Sequence, residues 1–213
     1  MSSDKPAPAR LTREGILDVA GRLVTAGGAE ALSMRKLAGE LGVSPMALYR
    51  HVRDRDELLV ALLDREFEAV VWPPLPARGA ERAVQVMLML HRELASRPWV
   101  LDALTRGDLM APSAARATDD VLGSLRAAGC SPQTAAIRYA AAWRLTLGAL
   151  LVDARTASAV AGLTRPTVQE QVRRDADPAR FPALVECGAA LRQQRQDFDI
   201  EHALRLILTA PPE

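Results

Sequence analysis

Two short helical segments joined by a glycine turn, within Leu32–Val52 (LSMRKLAGELGVSPMALYRHV), constrain this chain more than any other part of it. Ser33 reads as an N-cap, after which Leu37, Ala38 and Leu41 repeat at helical spacing. Gly42 supplies a residue free to adopt positive φ where that helix must end. Ser44 is a second N-cap, and Pro45 occupies the first helical position, where its missing N–H costs nothing. Leu48 and Val52 stand one turn apart and should face inward, leaving Met46, Ala47, Tyr49, Arg50 and His51 directed elsewhere. This is the helix-turn-helix pattern, whose second helix offers its N-terminal half to base edges in a major groove.

The flanks extend the pattern into a small domain. Thr12 can cap a first helix, with Leu11 and Ile16 as a hydrophobic staple, and Gly27-Gly28 closes it. Asp54 and Glu57 form a capping box for a fourth helix, expected to run to about Val71. The net charge over 213 residues is only +1, so a basic surface has to be local. Between Arg35 and Arg55 the cations Arg35, Lys36, Arg50, Arg53 and Arg55 face only Glu40 and Asp54, a bias suited to phosphate contacts. The polar, Pro/Ala-rich MSSDKPAPAR lacks the apolar core of a signal peptide and is expected to be disordered, with Arg10 available to a phosphate.

Taken together, the Thr12-capped helix, MRKLAGELGVSPMALYRHV and DRDELL make residues 11–67 resemble the N-terminal domain of the TetR family of bacterial transcriptional regulators. The Phe181-Pro182 segment and DFDIEHALRLIL are similar to the C-terminal domain of its tetracycline-repressor branch. The resemblance implies an all-α protein: a disordered tail (1–10), a DNA-binding domain (11–56) and a helical effector-binding and dimerisation domain (57–213). It implies a homodimeric, cytoplasmic regulator, usually a repressor, that leaves a palindromic double-stranded operator when a small molecule binds. Arg35 matches the family's arginine at the start of the second helix and is suited to pair with a guanine. Pro45, Met46 and Ala47 offer apolar contact to thymine methyls, and Arg50 is long enough to reach a base. Thr12, Lys36, Tyr49 and His51 are expected on phosphates, with Ser44 at the tip of the reading helix. One departure stands out. The branch's drug-holding histidine near the end of the fourth helix falls at about Val71, so a magnesium–tetracycline ligand is not implied.

The remainder reads as helices over 81–96, 98–104, 112–128, 131–154, 182–195 and 200–209, with a looser stretch near 162–180 that holds a short helix around 168–174. The long helix after Pro132 is apolar on two sides. One side, with Ala141, Leu145, Gly148 and Val152, is expected to meet a partner subunit, together with Ile200, Ala203, Leu204 and Ile207 of the last helix. A second apolar set, Phe67, Val71, Met87, His91, Leu104, Met110, Trp143 and Leu147, is expected to line a cavity for a mainly apolar ligand. The apolar run Leu145–Val152 is too short to span a bilayer, so no membrane partner is expected. Cys130 and Cys187 show no metal or redox spacing, and neither a cofactor nor a metal is expected. No nucleophile–base pair, phosphate-cradling loop or carboxylate pair supports an enzyme. A helix-turn-helix protein without a small-molecule effector remains the alternative.

Overall fold

A computed structural model describes residues 11–106, 109–160, 171–172 and 174–211, and among these every regular element is helical. The expected tail 1–10, the Gly107 stop and most of the expected helix near 168–174 lie outside the described residues. The contacts group the chain into two compact units. One comprises Met1–Pro74 with Arg92–Asp120, the other Leu75–His91 with Val121–Glu213.

In the first unit, α1 (Arg13–Gly27) starts at Thr12, whose Oγ1 accepts the Gly15 N–H at 3.1 Å. It stops at Gly28, whose φ of 73° only glycine adopts without strain. A 3-10 turn (Ala29–Ala31) leads to α2 (Met34–Leu41), α3 (Pro45–Leu48) and α4 (Arg55–Glu68). Ile16, Val24, Leu32, Leu37, Leu48, Leu58, Leu59, Leu62 and Leu63 are essentially inaccessible and form one core. Each such leucine or isoleucine contributes roughly 1.5–3 kcal/mol by leaving water. After α5 (Ala80–Ala95), α6 (Pro98–Arg106) packs against α1, and a 3-10 turn (Pro112–Ala114) packs against α4. Asp64 Oδ1 accepts the Ser113 N–H there at 2.7 Å.

The second unit holds α7 (Ala115–Ala127) from Val121 onward, α8 (Pro132–Val160), α9 (Pro182–Glu186), α10 (Gly188–Gln196) and α11 (Ile200–Leu208). α8 and α11 pack together through a core that includes Ala142, Leu150, Leu204 and Leu208. Arg138 donates to the carbonyls of Ala210 and Pro211, both at 2.7 Å, holding the chain end after α11 against α8. Arg205 on α11 pairs with Glu201 at 2.8 Å and with Glu81 at the start of α5.

Several boundaries differ from expectation. α4 ends at Glu68 rather than Val71: Ala69 caps it, the Val70 N–H turns back to Phe67 O at 3.3 Å, and no regular structure follows ahead of Pro73-Pro74, where the residue before proline is driven out of the α region. The helix expected over 182–195 breaks at Cys187, and the start of that expected at 112 is a 3-10 turn. α8 continues past Ala154 to Val160. Alanine-rich turns before Leu145 also make Pro132–Ala154 long and apolar enough, by length and composition, to cross a membrane. The short run 145–152 had understated that length.

Candidate nucleic-acid interface

The turn between α2 and α3 is built from backbone hydrogen bonds that the sequence makes possible. Val43 donates to Ala38 O at 3.0 Å and Gly42 to Gly39 O at 3.1 Å, with Gly42 left-handed at φ 66°. These are the paired bonds of a Schellman ending, and they turn the chain straight into Ser44. The Ser44 Oγ accepts the Ala47 N–H at 3.3 Å, and Pro45 opens α3 with no donor to satisfy.

α3 proper is a single turn. Helical bonding then loosens into the bonds His51 N to Leu48 O at 2.8 Å and Val52 N to Leu48 O at 3.1 Å. Leu48 is fully buried and Val52 is 2% exposed, so these two anchor the segment. The opposite side is open: Met46 is 74% and Tyr49 47% exposed, and Pro45 and Arg50 are exposed with them. Ala47 and His51 are half-buried. Arg35 and Lys36 stand exposed in the first turn of α2, where the Lys36 N–H is capped by Ser33 Oγ at 3.2 Å. Thr12 is exposed at the start of α1, and its hydroxyl hydrogen is not used by the cap. The apolar Pro45 and Met46 thus lie on one surface with Tyr49 and Arg50, while Leu48 and Val52 hold it from beneath.

Sequence reasoning missed the clamp behind this surface. Glu57 Oε2 accepts the Arg53 N–H at 2.7 Å, and its Oε1 accepts from Arg13 at 3.0 Å. The same Arg13 Nη1 donates to the His51 carbonyl at 3.2 Å. The backbone N–H of Arg53, then the Arg13 guanidinium, hold the Glu57 carboxyl below the usual glutamate range. Arg55, counted above among the phosphate-facing cations, instead donates to the carbonyls of Leu32 at 2.9 Å and Ala29 at 2.8 Å. Its role is to join α4 to the turn before α2. The Asp54/Glu57 capping spacing was visible in sequence, and Asp54 does accept the Glu57 N–H at 2.8 Å. Arg13, 44 residues away, left no local signal.

The eight residues expected around a ligand divide between the units, with Phe67, Val71, Leu104 and Met110 in the first and Met87, His91, Trp143 and Leu147 in the second. Met87 is fully buried, while Phe67, His91, Leu104, Trp143 and Leu147 are half-buried. Val71 (86% exposed) and Met110 (56% exposed) stand on non-helical segments and are open to solvent. Of the residues expected to meet a partner, Ala141 and Val152 are exposed, and Leu145, Gly148, Ile200, Ala203 and Ile207 are half-buried. Leu204 is fully buried against its own chain, because it shares with Leu208 the face of α11 turned to α8. Leu206, not foreseen, is 67% exposed. Among the described residues no group of His, Cys, Asp and Glu side chains is arranged to hold a metal ion.

Comparison with known proteins places residues 16–62 in the family described as bacterial regulatory proteins, tetR family. The transcriptional repressor DrrR1 of Streptomyces coeruleorubidus is 35% identical over 124 residues, which are 56% of this chain but only 45% of that protein. A helix-turn-helix transcriptional regulator of Saccharopolyspora erythraea is 30% identical over 176 residues, covering 82% of this chain and 73% of the relative. The crystal structure of apo ActR from Streptomyces coelicolor superposes with a TM-score of 0.74 at 26% identity, covering 95% of each chain.

Proposed function

The chain belongs to the tetR family of bacterial regulatory proteins, and on that premise we propose that it is a cytoplasmic, homodimeric repressor of a palindromic operator, released by a small, mainly apolar ligand. Members of this family are DNA-binding transcriptional regulators and not enzymes. The observation that carries the DNA reading is the exposed Pro45–Met46–Tyr49–Arg50 surface, held by buried Leu48 and Val52 and flanked by Arg35 and Lys36. In this reading Arg35 reads a guanine, Pro45, Met46 and Ala47 meet thymine methyls, and Arg50 reaches a base. Thr12, Lys36, Tyr49 and His51 take phosphates, and Ser44 orients the helix tip.

Support for the dimer comes from α8. Ile137 and Val152, each 61% exposed, share one stripe with Ala141, Leu145 and Gly148 on the side opposite the buried Ala142, Thr146 and Leu150. A Cβ added at Gly148 would meet nothing within 4 Å among the described residues, which leaves room there for a partner helix. The apolar length of Pro132–Ala154 is then the length of a subunit seam. For the effector, we assign Met87, Trp143 and Leu147, all in the second unit, to an adaptable apolar lining.

Selection of binding sites from random duplexes tests the reading directly. The expected product is an inverted repeat bound by two protomers, with affinity falling steeply as salt rises. Equal affinity for all duplexes would refute it.

A further inference from the structure

The side chains that lead into and form α3 are poor in hydrogen-bonding groups. Of Ser44, Pro45, Met46 and Ala47 only serine carries one, and its Oγ already accepts the Ala47 N–H at 3.3 Å, leaving the hydroxyl hydrogen alone to donate. Met46 is 74% exposed, against 47% for Tyr49, the other large exposed apolar side chain of the segment. At that exposure it adds little to the fold, which Leu48 and Val52 anchor from beneath. Arg35, Lys36 and Arg50 are exposed on the same helix-turn-helix, a positive charge that complements a phosphate backbone.

A pyrimidine shows two groups to the major groove. At C4 thymine has an oxygen acceptor and cytosine an amino donor, and thymine adds a methyl at C5. A thioether is a weak acceptor and donates nothing, so Met46 takes little from C4. It is suited to covering a methyl, and its three rotatable bonds let it adapt to one. Methylation of cytosine at C5 puts the same group in the same place. We propose that this surface reads the C5-methyl itself, that Met46 is the side chain that covers it, and that 5-methylcytosine is therefore recognised as thymine is. This rests on the DNA reading and goes beyond it, because cytosine methylation then becomes a determinant of operator occupancy. Covering one methyl should raise affinity about fourfold, and covering one in each half of an inverted repeat about fifteenfold.

The test uses the full chain and the inverted repeat selected from random duplexes, with affinity read by fluorescence anisotropy. Each thymine is replaced in turn by deoxyuridine in both half-sites, which deletes the methyl and keeps the C4 oxygen and the base pairing. At the position facing Met46 the loss should be about fifteenfold. With cytosine–guanine pairs placed there instead, C5-methylation of the cytosine should raise affinity by the same factor. Met46→Ala should bring both ratios close to one, and Met46→Leu should keep both. Neither variant should change the melting temperature, since the side chain is exposed. The proposal is overturned if deoxyuridine is tolerated at every position, or if cytosine methylation brings no gain where deoxyuridine costs affinity. It is also overturned if both ratios persist in Met46→Ala, or if that variant loses all binding, which one methyl contact cannot explain. In each of these cases a selective operator remains and the DNA reading stands. Absence of any sequence preference refutes the DNA reading, and methyl recognition falls with it.

Discussion

Glu57 takes hydrogen bonds from Arg13 and Arg53, the first reaching across from α1 and the second lying just after the recognition segment. Because its carboxyl is held below the ordinary 4.5, the stability it supplies is complete above that value and is lost as pH falls through the lower folded one. Glu57→Gln should cost about 0.5–2 kcal/mol at neutral pH, as other capping losses do. In urea titrations the variant and the parent should converge in acid, below 4.5. A constant gap down to strong acid would show that the carboxylate charge is not what matters. Arg35 sits at the other extreme, exposed and with no partner among the described side chains. Arg35→Ala should leave the melting temperature unchanged, cost roughly 1–3 kcal/mol in operator binding and relax preference at one base pair. Tyr49→Phe should weaken all duplexes about equally, measured by anisotropy on matched and scrambled sites.

Elements differ in how openly the sequence declares them. The starts of α1, α2, α3 and α4 were legible because each is set by a side chain and an N–H three residues apart: Thr12 with Gly15, Ser33 with Lys36, Ser44 with Ala47, and Asp54 with Glu57. The exposed reading surface was legible for the same reason, since one turn after a fixed cap decides which residues face out. The clamp of Arg13 and the two carbonyls under Arg55 were not, because their partners are distant in sequence and neither side shows a pattern by itself. Periodicity on α11 located an apolar stripe but not which side of it had a neighbour in the same chain, so Leu204 was placed on the wrong side. α3 itself holds too few bonds to stand alone, as short helices are marginal without tertiary packing. Leu48→Ala should therefore cost about 2–5 kcal/mol, within the range for emptying a buried leucine site. Hydrogen exchange should show protection lost across 45–52 before the rest of the first unit. Retained protection there would mean that the cap and turn bonds suffice.

At the scale of the whole molecule the proposed dimer rests on the exposed stripe of α8. Gly148→Arg should put a charge into that seam, giving monomers by sedimentation and abolishing binding to the full inverted repeat. A variant that stays dimeric would move the interface elsewhere. The exposure of Ile137 and Val152 has a thermodynamic corollary. If their burial is completed only by a second chain, the folded state is a bimolecular product and its stability follows mass action. The melting temperature of the purified protein should climb with total protein concentration, and a flat dependence would contradict the two-chain seam. On that reading, growth without new synthesis dilutes the protein, and its conformational stability falls as its concentration falls.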